Sequence, residues 1–194
     1  MCLLSKIDMV GIMIKAIKRK IRFFLIRKRF PKSRSVIIHK TFLTGEYMRI
    51  SVSTTANIEI LENVTFRAFG NIVVEQAGTL LVGKNVFFNN YCSLNCLDKI
   101  TIGENTLIGE SVKIYDHNHK YSNAPQFYVH PDQFSTAPVH IGQNCWIGSN
   151  VVILKGVTIG NNVIIGANNL IYKSVPSNTI VKLKSEVISQ AMEL

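Results

Sequence analysis

The chain has 194 residues, of which 47% are hydrophobic and 18% charged, so one domain with appendages and a sizeable core is expected. Its formal charge of +10 sits at one end: residues 1–34 carry eleven Lys and Arg against Asp8 alone, and the remainder is neutral. A nucleic-acid partner is therefore not expected, because the basic track does not continue into the body of the chain.

In the basic arm, residues 1–34, Ile14, Ile17, Ile21, Phe24 and Leu25 fall on one helical face. Lys15, Lys18, Arg19, Arg22 and the Arg27–Arg29 cluster occupy the rest, and Pro31 ends the segment. A basic amphipathic helix suits peripheral contact with an anionic membrane surface. It equally suits packing its stripe on the protein body or on a neighbouring subunit. No apolar run approaches the length needed to span a bilayer.

Residues 35–81 read as irregular early coils, strand-like at Ile50, Ile58, Ile60, Val64, Phe66, Ile72 and Leu80 but sparse in the glycine signal. From Val82 a six-residue period sets in, with aliphatic residues at Val82, Ile102, Ile108 and Ile114. It becomes strict between Val139 and Val175, at Ile141, Ile147, Ile153, Ile159, Ile165 and Ile171, with Gly142, Gly148, Gly160 and Gly166 following. Six matches neither a helix nor a simple alternating strand. It marks an all-β hexapeptide-repeat solenoid, a parallel β-helix in which three units close one triangular coil and stacking buries what no unit buries alone.

Residues 119–138 carry no such signal and are expected to leave the prism as an inserted loop within the domain spanning 35–182. A long insertion in a compact scaffold is usually functional. Residues 183–194 are expected to form a short C-terminal helix capping the last coil. The cysteines, Cys2, Cys92, Cys96 and Cys145, lack metal-ligand pairing. With no secretory leader ahead of them, reduced thiols in a cytoplasmic protein are the simplest expectation.

The reactive side chains concentrate where the insertion begins, in Tyr115-Asp116-His117-Asn118-His119. Histidine accepts a proton near neutral pH, and a carboxylate or carbonyl on its second nitrogen fixes the tautomer. His39, His130 and His140 have less context and are read as structural.

The segment IGQNCWIGSNVVILKGVTIGNNVIIGA, from Ile141, resembles the hexapeptide-repeat acyltransferases. The similarity extends over about residues 82–180 and is greatest to the galactoside and maltose acetyltransferases and to O-acetyltransferases of surface polysaccharides. The resemblance implies a left-handed β-helix, a homotrimer and acetyl-CoA as acyl donor between neighbouring prisms, with no metal. It implies His119 as general base, with His117 as the alternate and Asp116 beside them. Asn89 matches the acceptor-facing asparagine and Trp146 the tryptophan that walls the active site, while Ser149, Ala167 and Lys173 match positions lining the CoA groove. The resemblance also implies the Ser149 backbone N–H as donor to the oxyanion. The sugar branch's acceptor aspartate falls at Leu97, with Asp98 adjacent, and the usual segment after the last coil is replaced by Val181–Ser185.

The expectation is an O-acetyltransferase acting on a sugar of a bacterial surface polysaccharide or its precursor, at the inner face of the membrane. The alternatives are an N-acyltransferase on a nucleotide-linked amino sugar, a zinc enzyme resembling γ-carbonic anhydrases through His117, His119 and His140, and a silent binding scaffold.

Overall fold

The computed structural model describes residues 35–183 and, ahead of them, residues 14, 17, 20, 21, 23–26, 28 and 30. From Val36 to Val181 the chain winds into a three-sided column of parallel strands. Face A stacks six strands, from Val36–Ile38 to Thr158–Ile159, and face B seven, from Leu43–Thr44 to Ile180–Val181. Face C stacks six, from Arg49–Val52 to Leu170–Ile171. This is the parallel β-helix that the six-residue period requires.

The coils change length along the column. On face A, Val36 pairs with Ile58 and Ile58 with Leu80, each step 22 residues, whereas His140 pairs with Thr158, a step of 18. Early rungs such as Asn57–Ile60 and Asn71–Val74 have four residues, and late ones such as Val152–Ile153 have two. The early coils, expected to be irregular, are thus regular, on a longer repeat. Their alternation is that of an ordinary strand: Ile58 and Ile60 point inward and are buried, while Glu59 between them is half-buried.

The periodic aliphatics fill the axis. Ile102, Ile108, Ile114, Ile141, Ile147, Ile153, Ile159, Ile165 and Ile171 are all buried. Each contributes on the order of 2 kcal/mol by leaving water. In the wider early coils the filling is aromatic, with Phe66 and Phe88 stacked at 4.0 Å between centroids.

Two corners turn repeatedly through left-handed backbone, and the third, between faces C and A, does so at Gln76 and Gly156. Between faces A and B the turning residues are Asn63, Asn85, Asn105, Asn144, Asn162 and Asn178. Their side-chain amides bond one to the next at 2.9–3.3 Å along the column. Asparagine tolerates positive φ and carries both a donor and an acceptor, so one residue type serves the turn and the ladder. Gly148 is required by close approach: a Cβ there would stand 2.6 Å from the backbone nitrogen of Ala167 in the next coil.

The described arm residues 14, 17, 20, 21, 23–26 and 28 are helical. Phe23, Ile26 and Phe30 pack against the core, whereas Ile14, Ile17, Ile21, Phe24 and Leu25 are exposed. The segment therefore carries two apolar stripes, and the one read from sequence is not the one that docks. Among the described residues no helix is long and apolar enough to cross a membrane. The expected C-terminal helix lies almost wholly outside the described residues, which end at Leu183.

The insertion leaves face C after Lys113–Tyr115 and rejoins face A at Val139–Ile141. It is an ordered antiparallel hairpin, His117–Ser122 with Tyr128–Thr136, and not an irregular loop.

Candidate functional site

Asp116 is the last residue before the hairpin and is fully buried. Its carboxylate accepts the Leu97 N–H at 2.9 Å and the Asp98 N–H at 2.8 Å. It also meets Nδ1 of His117 at 3.0 Å. Asp98 and Leu97 thus lie beside Asp116 through their backbone, and the carboxylate anchors the hairpin's root to the coil below. The Cys96 thiol lies close by; burial, followed by the adjacent Asp116 carboxylate, pushes its pKa upward. Burial likewise pushes the Cys92 thiol up to about 11. Both thiols behave as core residues, not as nucleophiles.

His117 and His119 are two apart on one strand and so face the same side of the hairpin. Phe134 on the opposite strand, in register with His119, lies against both. Its centroid stands 5.2 Å from the His117 ring, edge-on, and 4.7 Å from the His119 ring, tilted by 43°. The side chain of His117 is only 17% exposed. His119 is exposed, and its Nδ1 lies 3.1 Å from the carbonyl oxygen of His130. A carbonyl can only accept, so this contact requires the proton on Nδ1 and leaves Nε2 as the basic nitrogen. Sequence reading missed Phe134 and the carbonyl of His130, because antiparallel pairing across the hairpin is what brings them to the histidines.

The remaining candidates lie elsewhere. Asn89, in the turn between faces B and C, accepts from Nη1 of Arg67 at 3.3 Å. Ser149 and Ala167 occupy the same corner higher up, where the Asn168 N–H bonds the Ser149 carbonyl at 2.9 Å. Trp146, on face B, is 55% exposed and stacks in register between Leu107 and Ile164. Lys173 follows face C and lies 5.7 Å over the ring of Tyr172. In the coil carrying the hairpin, Asp116 is five positions along from the B–C corner at Ser111. At about 3.3 Å per residue that is about 16 Å of strand. The histidines and the Ser149 corner thus lie at opposite ends of face C.

His140 is on face A, with Nδ1 2.7 Å from the Thr101 hydroxyl. It does not join His117 and His119: among the described residues no group of three or more His, Cys, Asp or Glu side chains is spaced to hold a metal.

Residues 138–173 match the family model for the bacterial transferase hexapeptide (six repeats). The chain therefore carries that repeat on a left-handed parallel β-helix and is similar to the O-acetyltransferases built the same way.

One relative is the provisionally named lipopolysaccharide biosynthesis O-acetyl transferase WbbJ of Escherichia coli (strain K12), 37% identical over 110 residues, 54% of this chain and 56% of that protein. Another is Nodulation protein L of Rhizobium meliloti (strain 1021), 40% identical over 100 residues, covering 49% of this chain and 50% of that one. The chain spans about half the length of these first curated relatives. Among solved structures, the polySia-specific acetyltransferase NeuO superposes with a TM-score of 0.65 at 19% identity, covering 80% of this chain and 71% of that one. That likeness is one of fold.

Proposed function

We propose that the protein is an acetyl-CoA-dependent O-acetyltransferase whose acceptor is a sugar hydroxyl of a bacterial surface polysaccharide or its precursor. The observation that carries this reading is His119, exposed on the inserted hairpin with Nδ1 engaged by a carbonyl and Nε2 left basic. The similarity to a relative named for O-acetyl transfer in lipopolysaccharide biosynthesis supports the acceptor class.

In this mechanism Nε2 of His119 takes the proton of an acceptor hydroxyl as its oxygen attacks the thioester carbonyl. The tetrahedral oxyanion is held by the backbone N–H of Ser149. Collapse breaks the C–S bond, and the imidazolium returns the proton to the departing thiolate. Proximity in the ternary complex supplies much of the acceleration, so no acyl-enzyme is needed. His117, shielded by Phe134 and tied to Asp116, positions the hairpin in this scheme.

The separation of His119 from Ser149 along face C supports a site shared between copies, in a homotrimer that sets the hairpin of one copy against the B–C corner of the next. Thiol release from acetyl-CoA with a panel of glycans tests the reading, and no release with any hydroxyl acceptor would overturn it. We also assign the exposed stripe Ile14, Ile17, Ile21, Phe24 and Leu25, with the arm's positive charge, to the inner membrane surface. Co-sedimentation with anionic but not neutral vesicles is the expected result.

A further inference from the structure

The corner between faces B and C differs from its asparagine-lined counterpart. Its left-handed positions in the early coils are Tyr47, Phe69 and Tyr91, at φ of 55°, 60° and 60°. Bulky residues are outliers there, and an outlier backbone held by its surroundings points to a role beyond turning the chain. The three rings stack at 4.9 and 4.8 Å between centroids, with planes 11° and 7° apart, and all are exposed.

The ladder then stops. The next residue on the corner is Ser111, and above it come Asn150 and Asn168. The corner backbone is continuous: the Ser111 N–H bonds the Asn90 carbonyl at 2.9 Å and the Asn150 N–H bonds the Glu110 carbonyl at 2.8 Å. Only the side chain changes. Serine is too short to cover the upper face of Tyr91, so one rung of an aromatic stack is left open between Tyr91 and the Ser149–Asn150 turn. Beside the ladder runs an open groove of about 410 Å³, lined in part by Glu46, Arg67 and Asn90.

The C–H face of a pyranose ring is flat, apolar and close to an aromatic ring in size, while its rim is all hydroxyls. An open aromatic face beside a guanidinium, a carboxylate and amides meets both requirements. We infer that this corner is an acceptor tract for an oligosaccharide: Tyr91 stacks one pyranose in the rung that Ser111 leaves open, and further sugars run along the groove past Asn89, Arg67 and Glu46. This rests on the proposed transferase reading. It deepens that reading by making the acceptor a glycan of two or more residues, seated next to Ser149.

The test is binding without acetyl-CoA, by saturation-transfer NMR and titration, using neutral and acidic hexasaccharides and their monosaccharides. At least one hexasaccharide should bind at least tenfold more tightly than its monosaccharide, with saturation concentrated on pyranose C–H protons. Tyr91→Ala should weaken it at least tenfold. Ser111→Tyr, which fills the open rung with the residue type the corner already accepts, should do the same with no fall in melting temperature. Unaltered hexasaccharide affinity in Ser111→Tyr, no binding by any hexasaccharide, or dissociation of the oligomer by Ser111→Tyr would each overturn the tract. The last result would make the corner an interface between copies. The two readings fail separately: full acyl transfer to glycans by both variants refutes the tract alone, and tight glycan binding without CoA release refutes the transferase alone.

Discussion

The corner between faces A and B and the corner between faces C and A are built from the same stacked coils and treated differently. At the first, six asparagines turn the chain in the left-handed region and bond one another from Asn63 to Asn178, and the ladder is not interrupted even where the coil length changes. At the second, the chain leaves the column for a hairpin, and a fully buried carboxylate, Asp116, secures the exit. Repetition supplies cohesion shared over many equal contacts. Interruption concentrates it in one residue and leaves the neighbouring His119 exposed. Asp116, Phe134 and the His130 carbonyl hold the strand that bears His119, with Nδ1 engaged by that carbonyl.

Substitutions can break that contrast in graded steps. The largest effect is on chemistry: His119→Ala is expected to lower kcat/KM for acetyl transfer at least about a hundredfold. Its unfolding free energy should stay within about 0.5 kcal/mol, because the residue is exposed. Steady-state kinetics and urea denaturation check the two halves. Asp116→Ala strands the Leu97 and Asp98 N–H groups and is expected to cost about 3 kcal/mol in chemical denaturation. The asparagine ladder should respond least. Asn105→Ala loses its two exposed amide bonds, to Asn85 and Asn144, and strains a residue at φ 56°, for about 1 kcal/mol, and Asn105→Gly should cost less because glycine accepts that backbone. Equal costs for Asp116→Ala and Asn105→Ala would erase the distinction between the corners.

The late coils were legible in the sequence because an 18-residue turn is three six-residue units, so Ile141 to Ile171 mark every rung. The early coils were legible only as irregular ones, because four extra residues per turn lengthen the strands and disperse the period. Asp116, His117 and His119 stood out as a cluster beside an insertion. Composition could not show that Asp116 meets His117 while a carbonyl eleven residues away meets His119, since that depends on the hairpin's pairing. For another reason, the arm's docking stripe, Phe23, Ile26 and Phe30, was not legible. Two apolar stripes overlap on one short helix, and periodicity alone does not tell which one finds the core.

The central claim is that one copy supplies His119 and a neighbour supplies the Ser149 N–H. Complementation tests it most directly, using His119→Ala and Ser149→Pro, the second removing the N–H at issue. Each protein alone should be nearly inactive, and co-refolded mixtures should release CoA well above either parent. A mixture no more active than its parents would contradict the shared site.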